Sequence, residues 1–195
     1  MVLTPGTMTP PSTDDLRRVM SAKGYRIFDD FNLWGIRNAD LQANTFNDLV
    51  GVMFRHNGQW IGRAWPATTD PGVYHREHPM NVHGVAILKP GQYRNAFRLG
   101  QHSGYPALQQ NAPLDVWRDN DHNAALAPGH AHESGMFGIN VHHASAEHTS
   151  TRVDKWSAGC QVLASPDDFA ELMALASQNG GPFTYTLLEQ GDFAT

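Results

Sequence analysis

The chain of 195 residues carries 14 Lys and Arg against 19 Asp and Glu, a formal charge of -5. It is sized for one ordinary domain and lacks the dense basic composition that phosphate recognition needs, so it is not expected to bind nucleic acid. At 41% hydrophobic and 17% charged it is globular rather than disordered, no apolar run is long enough for membrane insertion, and one cysteine excludes an internal disulfide and a Cys-rich zinc cluster.

Eighteen Gly and 12 Pro imply many turns and a β-rich α+β fold. Residues 1–12, with neither a basic stretch nor an apolar core, read as a loose leader and not as a secretory signal. A helix follows, with Thr13 as its expected cap, Leu16, Val19 and Met20 as its apolar stripe and Gly24 as its stop. Tyr25, Ile27 and Phe31–Trp34 read as strand. Leu49–Phe54 leads into Asn57-Gly58, a favoured hairpin turn, and Trp60–Trp65 returns. Thr68–Gly72 is a turn, and Val82–Leu88 a strand closed by Lys89-Pro90-Gly91.

The stretch 104–135 reads as loop apart from a strand at Leu114–Arg118, and it is rich in His and Asp. Loops of that length are usually functional or disordered. Phe137–His142 and Cys160–Leu163 read as strands. Ser165 then caps a helix with Pro166 in its first turn, Asp167 and Asp168 at the positive end of its dipole, and Gly180 at its end. Phe169, Leu172, Met173 and Leu175 form its core-packing side, and Phe183–Leu188 reads as the last strand. With no internal repeat or linker, 13–195 is expected to be a single domain.

Chemistry concentrates in Gly138–His143 and Trp156–Val162. A cysteine attacks carbonyls as the thiolate, and a neighbouring imidazolium would stabilise that thiolate and later protonate a leaving amine. His142 precedes Cys160 by 18 positions. Ser157-Ala158-Gly159 is a run of small residues that lets the backbone turn sharply and aim N–H groups at a developing oxyanion. Asn140 shares a strand face with His142 and is a candidate to hydrogen-bond the ring or a substrate. His102, between Gly100 and Gly104, is a candidate to orient substrate or to supply a second imidazole.

These motifs resemble the catalytic signature of the L,D-transpeptidase (YkuD-type) family, in which a strand-borne His is followed by Ser/Thr-His-Gly-Cys. The close match covers residues 136–170. A weaker one over 25–120, in Thr68–Gly72, Leu88–Tyr93, Gly100–His102 and Trp117–Asp119, is similar to a phage or prophage branch. The resemblance implies a catalytic β-sandwich or barrel with flanking helices, Cys160 as nucleophile and His142 as its base. It makes the backbone of Ser157, Gly159 and Cys160 the oxyanion environment, and gives the His143 carbonyl the task of orienting the imidazole. Two positions depart from the family: Ala158 stands where its second His is, and Gln161 and Val162 follow the thiol where an Arg or Asn is frequent. Gln161 can hydrogen-bond a substrate without a charge-assisted pair. Arg118, Arg152 and Lys155 are candidate substitutes for the missing charge, and Trp156 a candidate groove wall.

The implied function is a cofactor-independent, peptidoglycan-modifying enzyme that acts on peptide stems through an acyl-enzyme. Hydrolysis would make it an L,D-carboxypeptidase or endopeptidase, and amine attack an L,D-transpeptidase. Made in the cytoplasm without an address, it would act in the periplasm or cell wall as a phage lysis enzyme or a secreted antibacterial effector, with a delivery or immunity protein as partner. The alternatives are a non-catalytic peptidoglycan-binding module of a phage particle and a zinc peptidase ligated from His130, His132, Glu133, His142, His143 and His148. No helical His-Glu-x-x-His motif supports the metal reading.

Overall fold

A computed structural model describes residues 8–41, 44–129 and 131–194. The leader is therefore described only from Met8 onward, and Met8 packs against the first helix and its neighbours. That helix, α1 (Thr13–Ala22), is capped by Ser12 and not by Thr13, because Ser12 Oγ is the oxygen three residues before the Asp15 amide and accepts from it at 3.1 Å. Tyr25 and Ile27 lie outside any strand and pack against α1.

β1 (Asn32–Arg37), β2 (Asp48–His56) and β3 (Gln59–Thr68) form an antiparallel ladder, with Asn57 and Gly58 at φ 49 and 80 making the hairpin turn between β2 and β3. Alternation along these strands sorts their side chains. Leu33, Val50 and Val52 point into the barrel core, while Trp34, Ile36, Leu49 and Met53 point out beneath Leu16, Val19 and Met20 of α1. After a short helix α2 (Val73–Glu77) come β4 (Val85–Leu88), β5 (Gly91–His102), β6 (Tyr105–Gln110), β7 (Leu114–Asp119) and β8 (His132–Gly135). The chain closes with β9 (Val141–His143), β10 (Gln161–Leu163), α3 (Pro166–Asn179) and β11 (Phe183–Glu189).

Eight strands close a barrel in the order β1-β11-β5-β6-β9-β10-β3-β2, and β4-β7-β8 form a separate three-stranded sheet. The described residues thus make one β-rich α+β domain. α3 begins at its Ser165 cap, ends at Gly180, and buries Phe169, Leu172 and Ala176 against the barrel. Three expectations are corrected. The region 104–135 is not mostly loop, since β6 and β8 lie within it. β5 went unread. Of Phe137–His142 only the last two residues are strand. Among the described residues no helix is long and apolar enough to cross a membrane.

Candidate active site

β9 and β10 run parallel, with Val141 beside Gln161 and His142 beside Val162. Cys160, one residue before β10, is therefore two register steps from His142 on the adjacent strand, and residues two apart share a face. Both open onto a cavity of about 640 Å³ between the barrel and the small sheet. Gly159, at φ +126, makes the turn into Cys160 beside β4, where a Cβ would come 2.6 Å from the Ala86 carbonyl oxygen.

The two nitrogens of His142 have distinct roles. Nδ1 lies 2.8 Å from the His143 carbonyl oxygen and 3.0 Å from Tyr105 Oη. A carbonyl only accepts, so Nδ1 carries the proton and Nε2 holds the lone pair. Nε2 is buried and has no hydrogen-bond partner. The His143 carbonyl thus orients the imidazole, whereas the His143 ring packs on Tyr105 and Phe169 and does not line the cavity.

Burial governs the charge state of the pair. It lowers the His142 pKa to about 4, with the neighbouring His102 adding to the effect and the His143 carbonyl opposing it. It pushes the Cys160 thiol up to about 11, opposed by the Asn140 amide, which donates to Sγ at 3.4 Å. The expected imidazolium–thiolate pair is therefore replaced by a neutral thiol and a neutral imidazole, since one desolvated site penalises both charges. Sγ is directed at the Gly138 carbonyl, 3.6 Å away, and not at His142.

The remaining sequence candidates divide between cavity and scaffold. Ser157 is fully buried; its Oγ donates to the Cys160 carbonyl at 2.8 Å and accepts the Gly159 amide at 3.1 Å. That bond ties up one of the N–H groups expected to form the oxyanion site. Gln161, expected at the substrate, is instead 0% exposed, because the residue after a cavity-facing Cys160 points into the barrel. There it accepts from Tyr185 Oη at 2.7 Å and donates to the Gly159 carbonyl at 3.3 Å. Gly35, opposite, leaves room for the Tyr185 hydroxyl where a Cβ would collide with it. Asn140 bonds His102 rather than His142, at 3.0 Å from His102 Nδ1.

Arg118 and Trp156 both line the cavity. Arg118 pairs with Glu133 at 2.7 Å, donates to the Gly84 carbonyl at 3.2 Å and lies over the Phe137 ring. Trp156 stands exposed at the mouth with Met80 and Met136. Lys155 also lines the cavity, whereas Arg152 is an exposed surface charge beside Asp154. His102 lies in the cavity with its ring parallel to that of His142, 4.1 Å between centroids.

Two site residues escaped the sequence reading because β6 did. Tyr105 bonds His142, and Gln110 holds the segment before β9 by accepting the Phe137 and Ile139 amides at 2.9 and 3.1 Å. The pair Ser103-Gly104, at φ 49 and 88, is the hairpin signal that would have located β6. Among the described residues no three His, Cys, Asp or Glu side chains gather as a metal-ligand set, and His130 lies outside them. The chain matches no protein-family model, no curated protein and no solved structure.

Proposed function

We propose that the cavity is the active site of a cysteine-dependent enzyme of L,D-transpeptidase type, acting on the peptide stems of peptidoglycan in the periplasm or cell wall. The observation that carries this reading is that His142, whose buried Nε2 has no hydrogen-bond partner, lines one cavity together with Cys160. As Sγ adds to a stem carbonyl, the thiol proton passes to Nε2 and the carbonyl electron pair moves onto oxygen. Collapse restores the carbonyl and expels an amine, which takes the proton from His142. The resulting thioester is released by water or by a second amine. Neutral partners suit this concerted route, because neither group needs to be charged before the substrate arrives.

The chemistry of the walls supports a peptide ligand. Lys155 supplies a cationic group for carboxylates, the Arg118–Glu133 ion pair a polar wall, and Met80, Met136 and Trp156 an apolar lip. With Gln161 turned inward, no residue directly after the thiol supplies a charge to an acceptor, which favours net cleavage. Arrival at the wall through phage lysis or a secretion machine, with an immunity protein in the second case, belongs to the same proposal.

A second reading, a peptidoglycan-binding module without turnover, draws on the buried, neutral thiol and on Ala158. Incubating purified muropeptides with the wild type and with Cys160→Ala, followed by mass analysis, separates the two. The enzyme removes D-alanine from tetrapeptide stems or opens dimers, and Cys160→Ala does neither. Unchanged stems with the wild type would overturn the enzymatic reading and leave the binding one.

A further inference from the structure

The two stacked imidazoles in the cavity are held by different kinds of partner. The Gln110 backbone N–H can only donate, and it lies 2.9 Å from Asn140 Oδ1. That contact fixes the Asn140 amide, so the group 3.0 Å from His102 Nδ1 is the Asn140 NH2, itself only a donor. His102 Nδ1 is therefore an acceptor, and the neutral ring carries its proton on Nε2. His142 is set the other way by the His143 carbonyl, with its proton on Nδ1 and a lone pair on Nε2. Parallel rings 4.1 Å apart, on two residues that line the cavity, thus carry one proton acceptor and one N–H donor. Burial keeps His102 neutral by holding its pKa below the ordinary imidazole value, with His143 acting in the same direction.

We propose that His102 is a catalytic residue whose Nε2–H hydrogen-bonds the oxygen of the attacked carbonyl, taking the place of a backbone oxyanion donor. The assignment rests on the acyl-transfer reading above. It accounts for an otherwise incomplete site, since the Gly159 amide is already tied to Ser157 Oγ at 3.1 Å. It also gives Asn140 a role: the side chain sets the tautomer of the donor ring and touches no substrate itself. During attack His142 Nε2 receives the thiol proton while His102 Nε2–H stays on its ring and only shares its hydrogen with the new oxyanion. One imidazole moves a proton and the other holds charge.

Two measurements test this. Acetylation of Cys160 by 4-nitrophenyl acetate, followed by intact mass, passes through an oxyanion; alkylation by iodoacetamide at pH 9 displaces iodide and forms none. His102→Ala is expected to slow acetylation by about 10²-fold, the usual cost of one oxyanion donor, while alkylation keeps the wild-type rate. His102→Gln, which retains an N–H, is expected to recover most of the loss. Equal acetylation of wild type and His102→Ala would overturn the role of His102 and leave the nucleophile standing. A wild type that is alkylated but never acetylated at Cys160 would overturn the acyl-transfer reading itself. A parallel loss of both reactions in His102→Ala would mean a structural role only. Long-range 1H–15N correlation spectra of the wild type test the premise directly, expecting a protonated Nε2 on His102 and a protonated Nδ1 on His142; the same tautomer on both rings would overturn the proposal.

Discussion

A thiol held to about 11 and an imidazole held to about 4 leave Cys160 and His142 uncharged over a wide span of pH. The acid limb of kcat/KM on muropeptides is accordingly expected near pH 4, well below the value of about 6.5 that an unperturbed histidine would give. Protonation of His142 removes the acceptor for the thiol proton, so activity falls as pH drops through that pKa. Alkylation by iodoacetamide follows the thiolate instead and is expected to keep rising from neutral pH toward 11; a plateau already reached at pH 7 would contradict the neutral pair. At this scale the sequence was informative where a residue acts through type and spacing alone. Cys160 and His142 stood out by such cues, whereas the His143 carbonyl and Arg118 came in only through the family resemblance. Gln161 was misplaced because its face depends on where β10 begins, and Tyr105 and Gln110 were invisible because their strand partners lie far along the chain.

The elements differ in how much of their cause is local. α1, the β2–β3 hairpin and α3 each carry their own signals, an amphipathic stripe, Asn57-Gly58 and the Ser165 cap, and all were legible. β5 was not, because Asn95 at φ 53 and the register shift opposite Phe183 and Tyr185 break its alternation. β6 holds Pro106 and two glutamines, which read as loop; Pro106 is tolerated at the start of the strand, beside the hairpin turn and before the one register pair with β9, at Leu108. Residues 137–140 look like strand but are held by the Gln110 side chain, a contact that no period reveals. α1 lies against the β1–β2–β3 wall and contributes no residue to the cavity. Leu16→Ala is therefore expected to lower stability by about 2–5 kcal/mol in urea unfolding while Cys160 acetylation by the folded fraction is retained. Loss of acetylation without loss of stability would mean that α1 reaches the site after all.

Across the whole molecule, a buried ionic group joins the barrel to the loops around the cavity. Arg37 meets Asp70 at 2.6 Å, and Asp48 accepts the Thr69 amide and hydroxyl at 2.6 and 2.8 Å. Arg76 donates to the Pro71 carbonyl at 2.6 Å and to the Ala124 carbonyl at 2.7 Å. Burial, with Asp70 beside it, holds the Asp48 carboxyl above the ordinary carboxylate range. Its contribution to stability is therefore fully present below that range and is lost as pH rises through the raised pKa. Asp48→Asn removes this dependence, so its urea midpoint is expected to gain on the wild type between pH 4 and pH 8. A constant difference across that interval would count against a titrating Asp48.

The cavity has two owners. Cys160, His142 and His102 belong to the barrel or border its strands, whereas Val85, Ala86, Arg118 and Glu133 come from the three-stranded sheet. Ala86 brings that sheet beside the turn bearing the sulfur, its carbonyl oxygen lying where a Cβ on Gly159 would meet it at 2.6 Å. On the proposed reading, reaction and selectivity sit on separate scaffolds, and exchanging the cavity-lining residues of the small sheet would retune what is admitted while Cys160, His142 and His102 stay where the barrel sets them.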